Sequence, residues 1–411
     1  MALKRFSIPL HIQILLAILF GGFFGYFFNN LVIYTNWVGE IFLRALNMII
    51  VPLIICSITT GVASVGSGDN LGRLSFKTIG LYILTTLIAI ITGFVLISAI
   101  KPGAGAKIGL TVPVDNISAA SDNFGQTLIK IIPNNIFEAM AQGQMLAIIF
   151  FSVLVGYFIT KISETRRNLM LDILNAALDV IMKITLFIIK FTPLGIFSIT
   201  AKVIAQQVDI GNNISELVSR LGLYFLTVLF GLLVHGLITL PLMVKLLGRV
   251  NPFRHFKNMA TPLLTAFSTS SSNATLPFTL EAVQNKDGVS NKIASFTLPL
   301  GATINMNGTA LYECVAVMFI AQAYNIDLTF AQQIVIIFTA LLAAIGSAGI
   351  PMAGLVMMAV VIKAAGLPME GIGLVIAVDR ILDMFRTAIN VYGDTCAAVI
   401  IAKSEGENLK I

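Results

Sequence analysis

The chain of 411 residues carries its apolar positions in long runs: 8–28, 38–65, 79–100, 145–159, 169–204 and 217–247. A helix needs roughly twenty apolar residues to cross the hydrocarbon core of a bilayer, and most of these runs reach that length. A membrane barrel would instead show alternating segments of about ten residues. The pattern therefore predicts transmembrane helices, whose backbone polar groups are satisfied within each span.

After Lys257 the pattern changes. The stretch 259–280 is interrupted by the polar run 268–275 and then Pro277, and leads to a basic loop with Lys286 and Lys292. A segment that leaves from one side and returns to it is a re-entrant hairpin. A seventh span, 293–324, follows, and the run 332–365 is then broken by Gly346, Ser347, Gly349, Pro351 and Gly354. Pro277 and Asn305 are separated by 28 residues, as are Pro351 and Asp379. The expected fold is an all-α membrane protein with eight transmembrane helices and two re-entrant helical hairpins, at about 253–284 and 330–365, arranged as inverted repeats. Helix seven is expected to break, with Pro299 and Gly301 weakening it.

Composition agrees: 57% of residues are hydrophobic and 11% charged, against about 25% charged in a soluble domain. The formal charge of +6 sits singly at the ends of apolar runs, which marks topology and not nucleic-acid binding. Arg73 and Lys77, then Lys161, Arg166 and Arg167, then Lys245, Arg249, Arg254 and Lys257 follow spans two, four and six, whereas 29–36 and 206–215 carry no Lys or Arg. Both termini are thus expected in the cytoplasm, at a cell (inner) membrane, with 101–144 as a long external loop. Lys4 and Arg5 precede a first span without a small-residue cleavage site, so it reads as uncleaved. Glu40 and Arg44 lie inside an apolar run and call for shielding or an interface. Cys56, Cys314 and Cys396 lie in apolar segments without metal or disulfide spacing, and His11, His235 and His255 are isolated along the chain.

Against this background the segment from Asp379 to Asp394 stands out, with three aspartates and two arginines. Ionisable groups at membrane depth are costly unless they face protein or water. At about 100° per residue, Asp379, Arg380, Asp383, Arg386, Thr387, Asn390 and Asp394 fall within an arc of about 120°. Asp383 suits an ammonium, and the planar fork of Arg386 suits a carboxylate, which together specify an acidic amino acid. An internal Asp/Arg pair holding the helix is the alternative, and Asp379 fits it best. Thr303, Asn305, Asn307 and Thr309 bring oxygens into helix seven, as a hard cation requires, or as amides that glue helices together. Paired, Gly/Pro-interrupted segments point to the binding site of a secondary transporter. A channel would need a continuous polar pore, and an enzyme a nucleophile with its base, and no His or Cys lies near the stripe.

Asn305-Met306-Asn307-Gly308-Thr309, the Ser-rich tip ending at Thr275-Leu276-Pro277, the run from Ala348 to Gly354, and the stripe from Asp383 to Asp394 together resemble the dicarboxylate/amino acid:cation symporter family, over nearly the whole chain. The resemblance implies sodium-coupled uptake of L-glutamate or L-aspartate by an elevator-type homotrimer, with sodium as the coupling ion and no organic cofactor. It implies a scaffold at 1–74 and 125–206 and a transport domain at 75–104 and 214–411. Ser271, Ser272, Met306, Thr309, Ile350, Gly354, Thr387 and Asn390 would line the substrate pocket. Gly301, Asn305, Asn390 and Asp394 would hold one sodium. Thr303, Ala344, Ile345 and Ser347 would hold a second, and Tyr82, Thr85 and Thr86 with Asn305 and Asn307 would frame a third.

Two departures bear on this. Family members usually carry Asp where this chain has Asn307, which weakens the third cation site. They place an arginine at the position of Ser270 or of Met384, and Arg380, one turn before Asp383, is expected to supply that guanidinium. Glu313 matches a glutamate resembling the proton carrier of the animal transporters. Proton-coupled uptake of glutamate or a C4-dicarboxylate is the alternative function, against which Asp383 argues, because a dianion offers it no ammonium.

Overall fold

The structure, a computed structural model, describes residues 10–63, 69–105, 129, 131–209, 214–347, 349 and 352–411. Among these all regular structure is helical. The N-terminal half comprises α1 (Leu10–Phe27), α2 (Asn36–Ala63), α3 (Asp69–Ile100), α4 (Ile136–Gln142), α5 (Met145–Ile159), α6 (Glu164–Ile189), α7 (Thr192–Asp209), α8 (Ile214–Val234) and α9 (Leu240–Leu246). The C-terminal half comprises α10 (Pro252–Asn258), α11 (Ala260–Thr269), α12 (Ser272–Ala282), α13 (Asn291–Ile304), α14 (Asn307–Ala323), α15 (Phe330–Ile345), α16 (Ala353–Ala364) and α17 (Ile372–Ser404).

Four stretches are long and apolar enough to cross a membrane: Asn36–Ala63, Arg73–Ile100, Ser215–Leu246 and Asn291–Ala323. The α6 and α7 pair makes a fifth, bent by 54°. The run 169–204, read as one span, is thus two helices. Pro193 opens the second, and its ring and missing N–H disrupt the turn before it. Within Ser215–Leu246, a π-helical turn at His235–Thr239 links α8 to α9. The 33-residue α17 carries the charged stripe.

The break in helix seven lies at Asn305 and Met306. α13 runs on through Pro299 and Gly301, the residues expected to weaken it. The break is held from α17: Asn390 Oδ1 accepts from Gly308 N (2.8 Å), and Asn305 Nδ2 donates to Asp394 Oδ1 (2.9 Å). Backbone groups freed by unwinding and side chains of the stripe thus satisfy one another, as burial requires.

Two helical hairpins flank this break. In the first, α11 and α12 pack on each other across Ser270 and Ser271. Ser270 is left-handed (φ 51°), and Ser271 caps α12 by accepting from Ala274 N (3.2 Å). Pro277 lies inside α12 without breaking it. In the second, α15 packs on α16. The α15 start has a capping box, with Thr329 and Gln332 bonded reciprocally, which satisfies two otherwise orphaned donors. The hairpin tips meet where Ser271 Oγ (2.8 Å) and Asn273 N (3.2 Å) donate to the Gly349 carbonyl.

α1, α2, α5, α6 and α7 form one packed group. Within it α1 and α7 come close together: a Cβ on Gly21 would stand 2.6 Å from the Phe197 carbonyl oxygen. Elsewhere α14 is the centre, packed by α3, α8, α15, α16 and α17, and the apolar window of Asn291–Ala323 is wholly buried. Large apolar side chains such as Phe20, Phe23 and Phe27 face outward, as expected of a surface wetted by lipid. Glu40 and Arg44 are exposed on α2, so the single chain does not shield them.

Candidate functional site

The stripe of α17 folds inward. Asp379, Asp383, Arg386, Thr387, Asn390 and Asp394 are buried, and Arg386 is among the largest fully buried side chains. Its guanidinium lies 3.8 Å from the Tyr312 ring centroid, so a cation–π contact supports it from α14. Its Nη2 donates to Asp383 Oδ1 (2.8 Å), and its Nη1 lies 3.1 Å from Asp379 Oδ1, without hydrogen-bond alignment. Asp379 is thus a charge partner of Arg386, and Asp383 its hydrogen-bonded one. A Cβ on Gly354 would sit 3.1 Å from Nη1, so glycine lets α16 come close to the guanidinium.

Asp383 is fully engaged. Its Oδ2 accepts from Met352 N (3.1 Å) and from Arg380 Nη1 (3.4 Å). Arg380 keeps 20% of its side chain exposed, which places it at the rim. Thr387 Oγ1 donates to the Asp383 carbonyl (2.8 Å), and Asn390 Nδ2 donates to Thr309 Oγ1 (3.1 Å) and contacts Met306 Sδ (3.3 Å).

These groups surround a cavity of ≈ 10 Å³ lined by Ser270, Ser272, Met306, Thr309, Asp383, Thr387 and Asn390, and closed by Ser347, Gly349, Ala353 and Gly354. It offers about the space of one water, against about 300 Å³ or more in small-molecule pockets. Both hairpins, the break and second half of helix seven, and α17 contribute to it. Ser271 is directed away, to the Gly349 carbonyl. Ile350 lies outside the described residues. Ser347, expected to serve a cation through its carbonyl, lines this cavity.

One helical turn further along α17 is an oxygen-rich cluster. Asp394 Oδ1 accepts from Asn305 Nδ2, and a Cβ on Gly301 would stand 2.5 Å from that oxygen and 2.9 Å from Tyr82 Oη. Thr85 Oγ1 donates to Asn305 Oδ1 (3.2 Å), and Thr86 Oγ1 to Asn307 Oδ1 (2.7 Å). Tyr82 Oη donates to the Thr297 carbonyl (2.7 Å). The structure thus brings Tyr82, Thr85, Thr86, Gly301, Asn305, Asn307, Asn390 and Asp394 together. The amide Nδ2 of Asn307 is buried without a hydrogen-bond partner, where a carboxylate would place a second oxygen. Thr303 is exposed and donates to its own Leu300 carbonyl (3.0 Å), so any ligand role falls to its backbone. Ala344 and Ile345 end α15, which contacts α13. Glu313 is fully buried on α14, and neither carboxylate oxygen has a hydrogen-bond partner.

Sequence reasoning missed Met352 N–H, which reaches Asp383 because Met352 is left-handed (φ 64°). It also missed the Tyr312 ring, since an aromatic in an apolar helix carries no signal of its own.

The mouse excitatory amino acid transporter 3 is 37% identical, over 92% of this chain and 80% of the relative. The human excitatory amino acid transporter 3 is 38% identical over the same shares. The human neutral amino acid transporter B(0) is 35% identical, over 88% of this chain and 72% of the relative. Residues 10–404 match the sodium:dicarboxylate symporter family. The chain therefore belongs to that family, and it is a multi-pass membrane transporter, not an enzyme.

Proposed function

We propose that the chain is a secondary active symporter for an acidic amino acid, L-glutamate or L-aspartate, coupled to sodium. The observation that carries this reading is the buried pairing of Asp383 with Arg386 beside a cavity closed by both hairpin tips. Asp383 would release Met352 N–H and take the substrate ammonium. Arg386 would turn a donor face to the side-chain carboxylate, with Thr387, Asn390 and Thr309 completing the pocket. The cavity is too small for an amino acid as it stands, so entry requires the second hairpin, which supplies Gly349, Ala353 and Gly354, to move.

Sodium would bind among Gly301, Asn305, Asn390 and Asp394, where oxygens from two helices converge. Asn307, with its amide nitrogen unpartnered, disfavours a third cation beside Thr86. In this reading eight spans and two re-entrant hairpins form inverted repeats, with both termini cytoplasmic. The segments 1–74 and 125–206 stay fixed in a homotrimer, while 75–104 and 214–411 carry solute across.

Uptake of radiolabelled aspartate, glutamate and succinate into proteoliposomes, under imposed sodium or proton gradients, tests this. Sodium-driven aspartate or glutamate uptake is expected, and uptake of succinate alone overturns the substrate. The second reading, proton coupling, rests on the unpartnered carboxylate of Glu313. If Glu313→Gln leaves the pH dependence of uptake unaltered, that reading ends.

A further inference from the structure

At the base of the first hairpin lies a polar cluster that the transport reading does not use. His255, on α10, is isolated in sequence but not in space. Its Nδ1 lies 2.7 Å from Asp287 Oδ2, and its Nε2 lies 3.1 Å from Thr395 Oγ1. All three residues are fully buried. Asn258 Nδ2 donates to the other Asp287 oxygen (2.8 Å), Tyr392 stacks on the imidazole with centroids 5.6 Å apart, and Cys396 Sγ lies 3.6 Å from Nε2.

The hydrogen-bond directions follow from counting protons. The carboxylate of Asp287 has none to give, so His255 Nδ1–H donates to it, and Nε2 is left facing Thr395 Oγ1 and Cys396 Sγ, both groups that carry a proton. A short N–H bond to a carboxylate is a charge-assisted one. The cluster joins the first hairpin to the turn of α17 immediately after Asp394.

Asp287 does not hold this position alone. It ends a π-helical turn at Val283–Asp287, followed by left-handed Gly288 (φ 82°). The C-terminal segment clamps this turn: Lys410 N donates to the Asp287 carbonyl (2.8 Å), Lys410 Nζ to the Asn285 carbonyl (3.0 Å), and Ser290 N to Glu407 Oε2 (2.9 Å). A continuous path thus runs from the C-terminal segment through Asp287 and His255 to Thr395.

We propose that His255 and Asp287 are positioning residues for the cation site at Asp394, held in register by residues 405–411. An apolar pair of similar size would fill this space at lower desolvation cost. What the polar pair adds is direction: it sets the rotation of the α17 turn from which Asp394 points at Asn305. The proposal rests on the sodium site described above.

The test is the sodium concentration giving half-maximal uptake by the full-length protein in proteoliposomes, measured beside the amino-acid KM at saturating sodium and the thermal midpoint. His255→Phe and Asp287→Asn are each expected to raise the sodium requirement by about tenfold, as loss of outer contacts does at metal sites, with the KM near its original value. The double variant should exceed neither single variant appreciably, because both break one path. Lys410→Pro deletes the N–H that holds Asp287 and should shift sodium dependence in the same direction. If His255→Phe does not assemble, Lys410→Pro, at the surface, decides by the same measurement. A lowered midpoint or maximal rate with unshifted sodium dependence overturns the proposal in favour of a purely structural pair. Sodium-independent uptake by the unmodified protein would overturn the sodium reading itself.

Discussion

The backbone N–H of Met352 lies 3.1 Å from Asp383 Oδ2, so the tip region of the second hairpin is tied to the same carboxylate that would receive a substrate ammonium. Binding and release of that segment are then two uses of one oxygen. Asp383→Asn keeps the shape but loses the charge. It is expected to weaken amino-acid binding by about 3 kcal/mol, the upper value for a hydrogen bond to a charged group. Isothermal titration checks this, and an unchanged Kd would remove Asp383 from the ammonium site.

Gly301 faces the Asp394 carboxylate so closely that an added Cβ would approach within 2.5 Å of Oδ1 and 2.9 Å of Tyr82 Oη. Both neighbours are buried and bonded elsewhere, so neither can give way freely. Gly301→Ala should raise the sodium requirement by about tenfold or more while amino-acid binding survives at saturating sodium. Equal sodium dependence would place the cation elsewhere.

Arg380 reaches Asp383 at 3.4 Å with a fifth of its side chain (20%) exposed. If it merely decorates the rim, its removal should cost no more than about 1 kcal/mol, as for exposed ion pairs. If it replaces the guanidinium that relatives carry elsewhere, Arg380→Ala should raise the KM for aspartate and glutamate by more than the roughly fivefold that 1 kcal/mol represents. Uptake kinetics distinguish the two.

At the C-terminal end of α17, Glu405 accepts from Lys77 Nζ (2.6 Å) and Arg73 Nη2 (2.5 Å). The hydrogen bonds from Lys77 and Arg73 pull its pKa below the ordinary value of 4.5. A carboxyl whose pKa is lower folded than unfolded stabilises the fold above the unfolded value, and that contribution fades as pH falls through the folded value. The thermal midpoint should therefore drop on acidification below about pH 4.5, with a shallower drop in Glu405→Gln and at high salt, which screens exposed pairs. An identical pH slope in the variant would show that Glu405 contributes nothing.

The stripe on α17 was legible because charge in an apolar run has few physical excuses: Asp383, Arg386, Asn390 and Asp394 had to face protein, and they do. The break in helix seven was legible in kind but not in place. Pro299 and Gly301 carry the local signal, yet the helix opens at Asn305 and Met306, where α17 offers substitute partners. That depends on a contact some eighty residues away in sequence, at a separation of 82 for Gly308 and Asn390. The Met352 donor and the His255–Asp287 pair were hidden for related reasons. Each becomes visible only when segments far apart in sequence are packed together.

Among the described residues, both direct hydrogen bonds between the two hairpin tips end on one atom, the Gly349 carbonyl oxygen. Two neutral bonds contribute about 1 kcal/mol each, and the second hairpin has a further tie in the Met352 N–H bond to Asp383. Parting of the tips therefore strips that single carbonyl of both these donors at once, so one oxygen acts as the clasp between the hairpins.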